Sequence, residues 1–172
     1  MLVKVNELTE KTQRLLMDIY EEGNIKNISY LYPDIEDIEA GKKKVEEGFI
    51  NYIKNEFLIN DDNRYYVWES DGIWISAMRV YKISSNLYYI EALATHDNYR
   101  RRGFAEKLIC SVIEELKTTG EFEMKSITSK TNIASQRTHE KCGFTKNYGG
   151  AFCYTTNEWV EDVVSLSYSS AL

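Results

Sequence analysis

The run Arg100-Arg101-Arg102-Gly103-Phe104-Ala105 joins an apolar segment, residues 88–95, to one in which Phe104, Leu108, Val112 and Leu116 recur at every fourth position. Such a stripe is the signature of an amphipathic helix. A helix that starts at this glycine presents unpaired backbone N–H groups and the positive end of its dipole to the loop, which favours an anion. Gly103 and Ala105 leave the backbone unobstructed, and the arginines add charge suited to phosphate oxygens. The chemistry implied is a pyrophosphate cradle; the alternative is a solvated basic turn. A second group lies downstream. With a helix capped at Thr131 or Asn132, the residues Asn132, Ser135, His139 and Cys142 fall on one face, and Gly143 takes the left-handed position beyond its end. Glu91 is the one charged side chain within residues 88–95, where burial would suit it to take a proton. The other reading of Glu91 is a salt-bridged or hydrated carboxylate.

Two phosphate loops are excluded: the chain has neither G-x-x-x-x-G-K-[ST] nor G-x-G-x-x-G. The pattern present is Q/R-x-x-G-x-G/A, written as Arg100, Gly103 and Ala105. It resembles the acetyl-coenzyme-A loop of the GNAT-type N-acetyltransferase superfamily. The second group resembles that superfamily's N-x-x-S-x-x-x-Y-x-K-x-G-F block through Asn132, Ser135, Lys141, Gly143 and Phe144. One position departs from it, His139 standing where tyrosine is usual. The resemblance extends over residues 66–144.

The resemblance implies an N-acetyltransferase that moves acetyl from acetyl-CoA to a primary amine by direct attack in a ternary complex. The CoA grip falls to backbone amides of Arg101, Arg102, Gly103, Phe104 and Ala105, behind Arg100. The pantetheine arm lies along Leu93, Ala94 and Thr95, where a backbone N–H near Leu93 polarises the thioester. Asn132 bonds the pantetheine amide region and Ser135 lines the same groove. His139 is either the general acid toward the departing thiolate, best as imidazolium, or a neutral filler with water as the proton source. Glu91 is the candidate base. A different class, an acyl-CoA-binding or regulatory domain with weakened turnover, draws support from the replaced tyrosine. Cys142 shows no feature that would activate an acyl-enzyme nucleophile. The amine acceptor itself is not named by the sequence.

The elements that must position these residues follow from pattern. Residues 2–5 alternate as a short strand. Asn6 offers a cap for a helix with Leu8, Leu15, Leu16, Ile19 and Tyr20 inward, ending near Gly23, and residues 24–33 read as a connector. Residues 34–55 read as helix, with Gly41 hinting at a break. Two strands follow across Ser70-Asp71-Gly72, then a turn at residues 84–86, a strand into Thr95, the helix after Gly103, a strand over 124–129 and the helix from Asn132. Tyr66, Trp68, Trp74 and Met78 fit either an acceptor channel or the core. In the strand before the loop, alternation puts Tyr89, Glu91, Leu93 and Thr95 on one face, unless a bulge near Leu93 intervenes. Residues 144–172 read as two closing strands, which could also mediate a homodimer. The expected fold is α/β, α+β-like: a GNAT-type three-layer sandwich of a central mixed, mostly antiparallel sheet with helices on both faces. Residues 1–60 supply the first strand and acceptor-side helices, 64–144 the acetyl-CoA core and 145–172 the closing strands of a single domain.

Composition narrows the class. A chain of 172 residues, 43% hydrophobic and 13% aromatic, can build a packed core. A net charge of −6 argues against a nucleic-acid binder despite the arginine triplet. Three widely spaced cysteines suggest reduced thiols and a cytoplasmic location, and two histidines with no ligand cluster argue against a metal site. No stretch approaches a membrane span. The acidic residues Glu21, Glu22, Asp34, Glu36, Asp37 and Glu39 are either a solvated surface or an acidic rim for a cationic acceptor.

Overall fold

The computed structural model describes residues 1–171. It runs β1 (Leu2–Val5), α1 (Glu10–Leu31), α2 (Ile38–Tyr52), a π-helical turn (Ile53–Phe57), β2 (Arg64–Ser70), β3 (Ile73–Lys82), β4 (Leu87–Thr95), α3 (Phe104–Lys117), β5 (Glu123–Ser129) and α4 (Ile133–Lys141). Four further strands close it: β6 (Thr145–Asn147), β7 (Ala151–Cys153), β8 (Glu158–Val160) and β9 (Val163–Ser169). A seven-stranded sheet has the order β1-β2-β3-β4-β5-β9-β6, and β4 with β5 is its parallel pair. The fold class is therefore the mixed, mostly antiparallel sandwich that the sequence implies.

Helices cover the two faces separately. The α3 stripe of Leu108, Ile109, Val112, Ile113 and Leu116 packs on Tyr66, Met78, Ile90, Met124 and Leu166. On the opposite face Leu16, Met17 and Ile19 of α1 meet Tyr65, Val67, Trp74 and Ala77. Burying each such side chain stabilises the fold by roughly 1.5–3 kcal/mol, which sets both helices rigidly against β4. Tyr66, Trp74 and Met78 are buried core residues, and Trp68 packs against the same core.

Three expectations need correction. The cap of α1 is Thr9, not Asn6, through reciprocal bonds with Thr12, and the helix continues past Gly23 to Leu31. Residues 24–31 stay helical because Asn24 and Ile28 extend the buried stripe by whole turns. Gly41 does not break α2. A Cβ there would lie 2.6 Å from Ile28 Cγ2, so the glycine is what allows α1 and α2 to approach. The third concerns the end of the chain. Between β6 and β9 the residues expected to form plain closing strands fold into a separate β7–β8 hairpin.

The feature that positions the site is a parting of strands. β4 pairs with β5 from Leu87↔Glu123 to Ile90↔Ser126 and no further. On its other side the β3 register steps from Arg79↔Glu91 to Ala77↔Ala94, so Ala92 and Leu93 together oppose Met78. This is a β-bulge, with Ala92 at φ 53. It reverses the alternation: Leu93 packs with the α3 cluster, whereas Ala94 packs with the α1 cluster. Of the two readings open for this strand, the bulge near Leu93 is the one present, so Leu93 does not share a face with Tyr89 and Glu91.

Candidate active site

The parting leaves a cleft of about 540 Å³. Leu93, Ala94 and Thr95 form one wall, Arg100, Arg101 and Ala105 the end, and Asn132 and Ser135 the wall opposite. Ile19, Tyr20, Glu22 and Gly23 of α1 cover it, residues that motif reading did not place there. A hollow of about 290 Å³ shares Thr95, Arg101, Ala105 and Thr138 with the cleft and adds Gly103 and Phe104. The expected cofactor residues are brought together with one exception. Arg102 lines neither space, and its guanidinium lies 5.6 Å above the Tyr99 ring.

The loop is built to expose N–H groups. Arg101 at φ 60 and Gly103 at φ 79 are both left-handed, which turns successive amides toward one point. No side chain caps α3, and its first intrahelical bond runs from Lys107 N–H to Gly103 O at 2.9 Å. The amides of Phe104, Ala105 and Glu106 therefore lack helical acceptors. Nothing lies within 4 Å of a Cβ placed on Gly103. Arg100 is occupied otherwise: it forms ion pairs with Glu22 and Asp97, and its Nε donates to Thr95 O at 3.2 Å. In this arrangement it ties the loop to α1. Asn132 caps α4 by accepting from Ser135 N–H at 3.1 Å.

Glu91 sits on the α1 side of β4 with both carboxylate oxygens engaged. Oε2 accepts from Arg79 at 2.8 Å and from the Tyr81 hydroxyl at 3.1 Å, and Oε1 accepts from the Thr155 hydroxyl at 2.8 Å. Arg79 is itself held against the rings of Tyr52 and Phe49, 5.2 and 5.8 Å away. Thr155 comes from the turn of the β7–β8 hairpin. No local motif marks these partners; only strand register and the inserted hairpin reveal them.

His139 is 1% exposed and lies outside the cleft lining. Its Nδ1 donates to Ser135 O at 2.8 Å, its ring meets Phe144 edge-on, and Nε2 is buried without a partner. Burial lowers its pKa below the ordinary 6.5, so it is neutral at pH 7 with the proton on Nδ1. A neutral ring in that tautomer carries no proton on Nε2. A stability consequence follows. The folded chain protonates this ring less readily than the unfolded chain, so its contribution is complete above about pH 6.5 and drains as pH falls below it. The melting temperature of His139→Gln should fall less between pH 7 and pH 5 than that of the parent chain. Parallel melting curves across that range would contradict this.

Cys110 and Cys142 are free thiols with sulfurs 3.0 Å apart, and burial pushes the Cys142 thiol well above the usual range, which makes it a poor nucleophile. Among the described residues no cluster of three or more metal-ligating side chains occurs, and no helix is long and apolar enough to cross a membrane. A groove of about 810 Å³ between the outer faces of α1 and α2 is lined largely by charged residues and contains none of the motif positions.

The chain belongs to the acetyltransferase (GNAT) family, whose model matches residues 24–144. It is 39% identical over 61 residues to the aminoglycoside N(6')-acetyltransferase type 1 of Serratia marcescens, a stretch covering 36% of this chain and 42% of that protein. The chain thus aligns with less than half of that relative's length. Among solved structures, the Campylobacter jejuni N-acetyltransferase PseH in complex with acetyl coenzyme A superposes with a TM-score of 0.60 at 14% identity, covering 99% of both chains. The ribosomal-protein-S18-alanine N-acetyltransferase of Escherichia coli gives 0.62 at 14% identity, covering 100% of this chain and 96% of that one.

Proposed function

We propose that the chain transfers acetyl from acetyl-CoA to a primary amine by direct attack within a ternary complex. The observation that carries this reading is the cleft between the end of β4, where pairing with β5 has ceased, and the start of α4, which closes on the uncapped start of α3. In this reading the amides of Arg101–Ala105 hold the pyrophosphate, and the pantetheine arm runs along Leu93, Ala94 and Thr95. The Leu93 N–H stabilises the oxyanion as the amine attacks the thioester carbon. Glu91 takes the ammonium proton, directly or through one water. Collapse of the tetrahedral intermediate breaks the C–S bond, and water protonates the thiolate because His139 has no available proton. His139→Gln should accordingly keep kcat within about threefold of the parent chain.

The acceptor is proposed only as an amine. Relatives of this fold include enzymes described as acting on an aminoglycoside and on a protein's alanine, so both types belong in a first panel. The three free thiols suit a reducing, cytoplasmic setting. A second reading, an acyl-CoA-binding domain with weakened turnover, is favoured by one observation, the buried neutral His139 in place of tyrosine. Release of CoA thiol, matched by mass-spectrometric detection of acetylated amine, separates the two. Thiol release equal to product supports the transferase. Binding of acetyl-CoA with no release across aminoglycosides, polyamines and peptide N-termini would favour the second.

A further inference from the structure

Tyr20 reaches from α1 to the bulge of β4, and its hydroxyl donates to the Ala92 carbonyl at 2.6 Å. The same oxygen accepts from the Tyr65 hydroxyl at 2.9 Å, and Tyr65 is fully buried. Tyr20 therefore has its one proton committed to Ala92 and its lone pair committed to Tyr65. Its ring packs on Phe49 with centroids 5.0 Å apart, and it lines the cleft. Burial pushes the Tyr20 phenol up to about 12, so it remains a donor throughout the neutral range.

The group it grips is unusual. Ala92 has φ 53, a conformation that a residue with a side chain holds only when its surroundings enforce it. Neither neighbouring strand does so, since pairing with β5 ends at Ile90 and the β3 register skips this point. In a planar trans peptide the carbonyl and the following N–H point in opposite directions. Holding the Ala92 carbonyl toward α1 consequently aims the Leu93 N–H away from α1, into the gap where β4 and β5 part.

We infer that Tyr20 is a positioning residue whose hydroxyl locks the Ala92–Leu93 peptide so that the Leu93 N–H meets the thioester oxygen. This rests on the acetyl-transfer reading for its consequence in turnover, but not for the peptide geometry itself. It also explains why the long α1 matters: residues near its middle fix the one backbone group that polarises the substrate.

The test uses Tyr20→Phe, which keeps the ring and removes the clamp. Tyr65→Phe is the control, removing the adjacent buried hydrogen bond and sparing the clamp. Tyr20→Phe should lower kcat about 10–100-fold, with the acetyl-CoA dissociation constant within about twofold of the parent. Tyr65→Phe should keep kcat within about threefold. In ¹⁵N-labelled protein the Leu93 amide should shift and exchange faster in Tyr20→Phe and stay in place in Tyr65→Phe. Unchanged kcat and an unmoved Leu93 amide in Tyr20→Phe would overturn the inference, as would equal losses in both variants. If the parent chain itself releases no thiol with any amine, the transfer reading has failed, and the Leu93 amide still decides whether the clamp exists.

Discussion

Replacing Glu91 by glutamine is expected to lower kcat for amine acetylation by about 10²–10⁴-fold while acetyl-CoA affinity stays within about twofold. The two effects separate because Glu91 lines neither of the two spaces formed by the cofactor residues. Its carboxylate is held instead by Arg79, Tyr81 and Thr155. Glutamine matches the size of the carboxylate but brings a donor into a nest of three donors. It cannot accept a proton, so turnover falls with the loss of the base. The substitution also strands the Arg79 guanidinium, whose side chain is 13% exposed, so some stability is lost too. Kinetics should be read well below the variant's melting temperature for that reason. Near-normal turnover would remove Glu91 as the base.

Gly103→Val should weaken acetyl-CoA binding by at least about 100-fold with a much smaller loss of fold stability. The residue holds φ 79, which costs an L-residue roughly 1–2 kcal/mol and a β-branched one more. That strain lowers stability modestly, because no atom of the chain lies within 4 Å of the new Cβ. The open space is the same space that the pyrophosphate needs in order to reach the amides of Phe104 and Ala105. A side chain there obstructs the ligand more than it obstructs the protein. Titration calorimetry beside thermal melting would show the divergence; an unchanged affinity, or an affinity lost only together with the fold, would contradict it.

The two motifs were legible because each is written within one element and its boundary. Gly103 begins α3, Asn132 caps α4, and Gly143 takes φ 88 just beyond α4, as local rules require. The mixed sheet followed from strand and turn patterns. What could not be read depends on contacts distant in sequence. Asn24 breaks the apolar count of α1 although it is buried, so the helix was expected to end near Gly23 and not at Leu31. Its cover over the cleft was missed because only tertiary packing lays Ile19, Tyr20 and Glu22 over β4. A bulge near Leu93 was open as an exception to alternation, but only the pairing of β4 with β3 fixes it at Ala92, because a bulge is a property of the pair of strands and not of either sequence. The free phosphate-seeking role given to Arg100 ignored Glu22, which only the packing of α1 brings to it. His139 carried the right position in a motif, but its burial and its bond to Ser135 set its protonation state. The β7–β8 hairpin, source of Thr155, has no signal beyond ordinary turn residues.

The central claim is that the space between β4 and β5 holds acetyl-CoA with its pyrophosphate on the start of α3. Its most direct test is calorimetric titration of acetyl-CoA into the parent chain and into Gly103→Val, with acetyl-pantetheine as the ligand that lacks the pyrophosphate. The account predicts saturable one-to-one binding of acetyl-CoA to the parent, and at least about tenfold weaker binding of acetyl-pantetheine. Gly103→Val should bind both ligands with similar weakness. Equal affinity of the parent for the two ligands, or no binding of acetyl-CoA, would contradict it.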